Sequence, residues 1–265
     1  MGDKDRNIKR SGKKTAFLAA FLACSLCLLC FALYYWNPSV RQYLITGGRI
    51  HMISIDGIFN VRDIGGWKTT DGKSIRYGLV FRGSEMDGIH HVNISAQGIE
   101  QMKDLGIRTE VDLRNSEETE TAVYPLKSFA DYSRYEIEAY MGVSRNKDLY
   151  KEALSAVIDG VLNDRPVYVH CWGGADRTGT VIALLEGTLG VSKMDVIKDY
   201  ELTSFSPSGV RRYGSGNEGT QFKDLVEYIE SDFEGGSFKE KCTNLLLDLG
   251  ISKDQIEAFR AKMLE

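Results

Sequence analysis

The chain is short of cysteine, of histidine and of cationic charge beyond its first residues, and each shortage excludes something. Of the five cysteines in 265 residues, Cys24, Cys27 and Cys30 share one apolar stretch. That leaves Cys171 and Cys242 for the remainder, too few for a disulfide framework. The histidines stand at 51, 90, 91 and 170, with no spacing to a cysteine that would suit a metal, so neither a metal nor any other cofactor is expected. His90-His91 reads as a solvated turn. The first 14 residues carry six Lys or Arg against Asp3 and Asp5, a balance of +4, so the total of −4 leaves −8 for everything after them. Such a balance gives no support to nucleic-acid binding. No internal repeat occurs, and none of Trp36, Trp67 and Trp172 is followed by Pro-Asp.

Charge is wholly missing from one further stretch. Thr15 to Trp36 runs for 22 residues without an ionisable Asp, Glu, Lys or Arg. As a helix it would extend about 33 Å, enough to cross a bilayer core. Tyr34, Tyr35 and Trp36 close it as an interfacial aromatic belt would. The run is longer than a signal-peptide core and no small-x-small cleavage site follows it, so an uncleaved signal anchor is expected, with a cleaved, secreted form as the alternative. The basic residues precede the span, and only Arg41 and Arg49 follow closely. The positive-inside rule therefore puts residues 1–14 in the cytoplasm and the rest outside, a single-pass protein of the cell membrane. Residues 37–50 read as a linker with Pro38 and Gly47-Gly48, and 51–265 as the folded domain with its C-terminal helices.

Within that domain the densest chemistry lies at His170-Cys171-Trp172-Gly173-Gly174-Ala175-Asp176-Arg177-Thr178-Gly179. Pro166 to Val169 reads as a buried strand, and Thr180 to Leu189 as a helix closed by Gly190. A cysteine thus sits where a strand passes into a glycine-bearing loop that opens a helix. The N–H groups at a helix N-terminus carry partial positive charge, and Gly173 and Gly174 let backbone approach an anion closely. A thiolate is the nucleophilic form of cysteine and is favoured in such a field. Arg177 returns to the same anion with a planar fork suited to phosphate. Residues 172–178 therefore form a candidate phosphate cradle and Cys171 a candidate nucleophile for a cysteinyl-phosphate. Thr178 could donate its hydroxyl to the sulfur.

His-Cys-x5-Arg-Thr-Gly is similar to the phosphate loop of the cysteine-dependent protein tyrosine and dual-specificity phosphatases. The Asp-Arg-Thr-Gly ending resembles a bacterial subgroup, some of whose members also act on phosphoinositides. Asn60-Val61-Arg62-Asp63-Ile64-Gly65-Gly66, Phe81-Arg82-Gly83-Ser84 and Val111-Asp112-Leu113-Arg114 match the same pattern, so the likeness runs over roughly 55–205. It implies a phosphate-monoester hydrolase with Cys171 and Arg177 as catalytic residues and phosphotyrosine in proteins as substrate. The large eukaryotic enzymes take their general acid from a Trp-Pro-Asp loop, which is missing here. Asp176 is the first candidate acid by resemblance, and Asp112, at a strand end, the second. The subgroup usually carries Lys where Ala175 stands, so a phosphoinositide is the alternative rather than the expected substrate. Rhodanese-type sulfur transfer is argued against by the Asp-Arg-Thr-Gly ending, and an inactive phosphate-binding module by the presence of both Cys171 and Arg177. Arg62 and Asp63 read as structural ion-pairing residues, and His170 as orienting the loop.

Strands alternating with helices predict an α/β domain, a mostly parallel central sheet flanked by helices. Strands are expected at 53–58, 79–81, 107–113, 132–139 and 166–169, and a hairpin about Thr70-Asp71-Gly72. Helices are expected from Ser95 to Gly106, from near Ser116, over 148–162 and 180–189, from Ser192 to about Thr203, and near 220–231, 236–249 and 253–264. The Gly- and Ser-rich stretch 206–219 carries Arg211 and Arg212 and reads equally as a lid or as a simply mobile segment.

Overall fold

The strand that leads into Cys171 lies in the middle of a five-stranded sheet. The computed structural model describes residues 52–88, 90–119 and 123–265, together with Leu22 and 24–27, which are helical. Apart from those few positions, the basic stretch 1–14, the predicted anchor at 15–36 and the linker at 37–50 lie outside the described residues. Among the described residues no helix is long and apolar enough to cross a membrane.

The strands are β1 (Arg62–Asp63), β2 (Val80–Gly83), β3 (Thr109–Asp112), β4 (Asp131–Arg134) and β5 (Val167–His170), in the order β1-β2-β5-β3-β4. β5 runs parallel to both neighbours, β3 and β4 are parallel, and only β1 is antiparallel to its partner. A central parallel strand is buried on both faces, and β5 carries a residue for each. Val167 and Val169 enter one apolar cluster, and Tyr168 points into the other with Val61, Phe81 and Met86.

The second cluster is covered by α1 (Ala96–Asp104), which contributes Met102. The first is covered by the short α2 (Gly142–Arg145), α3 (Lys147–Leu162), α4 (Asp176–Leu189), α5 (Lys193–Leu202), α6 (Gly216–Asp232), α7 (Phe238–Asp248) and α8 (Lys253–Met263). Every residue of α4 from Thr178 to Leu189 is buried, so this helix is core all round and its start is held rigidly. It stops at Gly190, whose φ of 98° is open to glycine without strain. Ser95, Ser192, Ser237 and Ser252 cap α1, α5, α7 and α8 by accepting an N–H of the first turn.

Three expectations are corrected. The apolar run 53–58 is not a strand: a turn at Asp56-Gly57, with Gly57 at φ 86°, bends it, and the pairing residues are Arg62 and Asp63. The helix expected near Ser116 is a single 3₁₀ turn, Glu117–Thr119. The strand expected to reach Ala139 ends at Arg134, because Ile137 donates back to the Tyr135 carbonyl and turns the chain.

Candidate active site

Cys171 follows directly on β5 and is buried, and α4 begins five residues later. What shapes the loop between them is the fate of its carbonyls. Trp172 C=O accepts from Glu85 N–H at 2.9 Å. Gly173 C=O accepts from Asn60 Nδ2 at 2.9 Å and from Ser208 Oγ at 2.6 Å. Gly174 C=O accepts from Asn60 Nδ2 at 3.0 Å and Arg82 Nη2 at 2.8 Å, and Ala175 C=O from Arg82 Nη2 at 3.3 Å. In a trans peptide the N–H is opposed to the C=O. Four carbonyls drawn outward therefore turn the amides of Gly173, Gly174, Ala175 and Asp176 to the inner side. α4 starts without a side-chain cap, so its first N–H groups add to that set. Gly174 is at φ 62°, and a Cβ there would lie 2.1 Å from the Gly83 carbonyl oxygen, so only glycine fits.

The outward pull comes from a buried frame. Arg62 places Nε 3.0 Å from Asp199 Oδ1, and Arg82 places Nη1 2.6 Å from Asp199 Oδ2. Burial, together with the charge of Arg62, pushes the Arg82 guanidinium down to about 10, which leaves it charged at neutral pH. Asn60 sits at φ 58°, tolerable for asparagine, and its Oδ1 accepts from Arg62 Nη1 at 2.6 Å. That bond fixes which end of the amide faces the loop. The expected ion pair of Arg62 is thus present, with Asp199 as its partner. Asp63 accepts the N–H of Gly65 at 2.7 Å and of Gly78 at 2.6 Å, bracing the turn after β1.

Asp112, the second candidate acid, lies on the far side of β5 in another buried set. Arg114 donates to it from Nε at 3.0 Å and Nη2 at 2.7 Å, Tyr132 from its hydroxyl at 2.9 Å, and His170 Nδ1 is 3.9 Å away. Burial raises this carboxyl, but the charge of His170 and the bonds from Arg114 outweigh it and hold it at about 2. A group ionised throughout the neutral range and fully buried has no proton to give a leaving group. Asp112 is a member of the frame. His170 Nε2 meets Glu110 Oε1 at 3.1 Å, so this ring is held by β3, and its side chain makes no hydrogen bond to the loop among the described residues.

The front of the loop is more open. Arg177 is bidentate to Glu118, with Nη2 2.7 Å from Oε1 and Nη1 against Oε2. Burial works against the charge of Glu118, yet the bonds from Arg177 and from Asn115 N–H hold its carboxyl below the usual range. Asp176 is bidentate too: Arg211 donates from Nε to Oδ1 at 2.7 Å and from Nη2 to Oδ2 at 2.8 Å, and the Tyr140 hydroxyl also donates to Oδ1. Tyr140 has φ 55°, a left-handed backbone that costs a bulky residue on the order of 1–3 kcal/mol, and its N–H is pinned by Thr180 Oγ1 at 2.8 Å.

Two expectations about neighbours change. Thr178 is fully buried, but its hydroxyl has no hydrogen-bond partner among the described residues, so the expected bond to the Cys171 sulfur is not made. The expected turn at His90-His91 is present and His91 is exposed, but His90 is tethered. Its Nδ1 is 2.8 Å from the buried Glu85, and its ring lies 4.9 Å from that of Trp172, which is 51% exposed beside the loop. Glu118, Tyr140 and Asp199 were not singled out from sequence: each is remote from the loop in the chain and stands in no motif.

A sequence profile described as the tyrosine phosphatase family matches residues 53–265. A Cupriavidus necator protein provisionally named a tyrosine-protein phosphatase is 24% identical over 198 residues, covering 64% of this chain and 69% of that protein. Among solved structures, the core catalytic domain of the PP-IP phosphatase SIW14 from S. cerevisiae, in complex with citrate, is 14% identical over 68% of this chain and 90% of its own, at a TM-score of 0.42. PTPMT1 in complex with PI(5)P is 12% identical over 64% of this chain and 94% of its own, at a TM-score of 0.39. Likeness at those scores carries no argument about substrate. The profile takes in β1 to β5, the loop and all the helices of the sheet domain, and on that match the chain belongs to the tyrosine phosphatase family.

Proposed function

We propose that the chain is a protein tyrosine phosphatase working through a cysteinyl-phosphate. Membership of the family makes it a hydrolase of phosphate monoesters. The observation that supports the mechanism is that the carbonyls of residues 172–175 are taken by Glu85, Asn60, Ser208 and Arg82, and on this reading the opposed amides of 173–176 are left to bind phosphate beside Cys171. A phosphate held there by those amides and Arg177 has its phosphorus over the sulfur. The thiolate attacks in line, the S–P bond forms as the P–O ester bond breaks, and Asp176 gives its proton to the departing oxygen. Water then attacks phosphorus, its proton passes to Asp176, and the P–S bond breaks to free the thiolate. The amides and Arg177 stabilise the equatorial oxygens in both steps.

Phosphotyrosine is favoured over a multiply phosphorylated ligand by charge. Arg177 and Arg211 are each balanced by a carboxylate, and position 175 is alanine. Additional phosphates need additional cations, whereas a phenyl ring needs an apolar wall, which the exposed Trp172 and the adjacent His90 can supply. Initial rates of the purified protein on phosphotyrosine peptides, phosphoserine peptides and phosphoinositides test this, with Cys171→Ser as the blank. A higher kcat/KM on the inositol lipids overturns the substrate reading but leaves the mechanism standing.

The sequence alone supports a single-pass anchor at 15–36 with the catalytic domain outside the cytoplasm. An impermeant protease added to intact cells should then digest or release the domain. Protection until lysis would place it on the other side.

A further inference from the structure

Glu85 is fully buried and takes no part in the hydrolysis, yet it joins the catalytic loop to a turn beside it. β2 and β5 pair in parallel with Gly83 opposite His170, so two residues further on Glu85 stands level with Trp172. The pairing reaches that far, since Glu85 N–H donates to Trp172 C=O at 2.9 Å. Beyond Glu85 the chain doubles back. Gly88 N–H donates to Val92 C=O at 2.8 Å, and Ile94 N–H to Met86 C=O at 3.1 Å. This returns His90 to the Glu85 side chain. Oε1 accepts the backbone N–H of His90 at 2.9 Å, and the ring Nδ1 donates to Oε2 at 2.8 Å, because a carboxylate only accepts. Arg114 donates from Nη1 to the same Oε2 at 2.9 Å and from Nη2 to Asp87 Oδ2 at 2.6 Å, which fastens the base of the turn.

One residue therefore holds His90 by backbone and ring through its side chain, and holds Trp172 through its own backbone. The two rings so brought together lie 4.9 Å apart between centroids and are tilted by 39°. Trp172 follows Cys171 in the chain and is half exposed, which leaves its indole available to a group esterified to a phosphate beside Cys171. A half-exposed tryptophan alone on a loop would exchange between rotamers and be ordered only as the ligand binds. Ordering one such side chain costs about two- to tenfold in affinity. The His90 ring restrains the indole beforehand and packs a second aromatic surface against it. We propose that His90, clamped by Glu85, is a positioning residue for Trp172, and that the indole so placed gives the site a preference for aryl over alkyl phosphate esters. The proposal rests on the cysteinyl-phosphate reading of the loop and deepens the phosphotyrosine one by naming what selects the ring.

Inhibition of the full chain by two phosphonates tests it. Benzylphosphonate carries a ring beyond its phosphorus and methylphosphonate does not, and neither has an ester bond for the thiolate to break. The parent should bind benzylphosphonate the more tightly. His90→Ala should lower that ratio of inhibition constants by about two- to tenfold. On a phosphotyrosine peptide the same variant should raise KM more than it lowers kcat. Trp172 emission, taken as the difference from Trp172→Phe, should become more open to acrylamide quenching. His90→Phe keeps a ring but lacks the nitrogen that reaches Glu85, and should recover the ratio in part. Two results overturn the inference: a ratio unchanged in His90→Ala, or one fully recovered in His90→Phe, which would leave the Glu85 clamp without effect. In both cases the phosphotyrosine reading stands. A parent that binds the two phosphonates alike overturns that reading together with the inference, while the covalent step is judged apart by Cys171→Ser.

Discussion

Behind the loop, Arg62 and Arg82 share Asp199, and all three side chains are exposed by 1% or less. In front, Arg177 meets Glu118 with 18% and 19% exposure, and Arg211 meets Asp176 with 12% and 29%. The chemistry is the same, arginine on carboxylate, but the depth differs. A deeply buried pair cannot be opened without leaving an uncompensated charge out of water, so it keeps its shape. A pair near water contributes little and is readily exchanged for another anion. The back set therefore suits a fixed scaffold for the loop carbonyls, and the Arg177–Glu118 pair in front suits a contact that a phosphate replaces in each turnover.

The loop between the two sets carries the largest expected effect. Cys171→Ser should lower turnover by on the order of 10⁵-fold or more, with the unfolding midpoint unchanged and phosphate-ester binding retained. Appreciable residual turnover would falsify the covalent mechanism. Arg177→Lys should be nearly inactive as well, since an ammonium cannot make the two-point grip.

Breaking the back set should cost stability first. Asp199→Ala leaves two guanidiniums facing each other in the core and should destabilise by about 3–5 kcal/mol in urea unfolding. A loss below about 1 kcal/mol would remove the distinction between the two sets. The buried Asp112 gives the same comparison a pH axis. Its carboxyl is lowered from 3.8 to about 2, so its contribution to stability is present above pH 3.8 and is lost as pH falls through 2. The shift corresponds to about 2 kcal/mol. Asp112→Asn should therefore narrow the gap in stability between neutral pH and pH 2 by about that amount, while equal pH dependence in parent and variant would count against the assignment.

The depth of these pairs also decides how much could be read from sequence. The strand before Cys171, the glycine loop and the helix closed by Gly190 were legible, because strand propensity, loop chemistry and capping are local. So were Arg62 as an ion-pairing residue and the three C-terminal helices. Asp199 was not, since its partners Arg62 and Arg82 stand 137 and 117 residues away and nothing in Lys-Asp-Tyr marks it. Glu117-Glu118 carried a signal that pointed elsewhere: acidic residues after Ser116 look like the first turn of a helix, and only the fold brings Glu118 to Arg177, 59 residues on. Tyr140 reaches Asp176 through a positive φ, which no propensity foretells for tyrosine.

The smallest expected effect is in the front set. Glu118→Gln keeps one acceptor for Arg177 and removes the negative charge that an incoming dianion must displace. Because the pair is partly exposed, unfolding should change by less than about 1 kcal/mol. The same water screens the repulsion felt by phosphate, so inhibition by inorganic phosphate should tighten only roughly three- to tenfold. The opposite outcome is equally readable. If Glu118 holds the guanidinium in its working orientation, Glu118→Gln should lower kcat with phosphate inhibition unchanged or weaker, and the front pair would then be as much a scaffold as the back one despite its exposure. Phosphate inhibition constants and kcat measured on one variant separate the two, since competition acts on binding of any phosphate whereas orientation acts on the transition state.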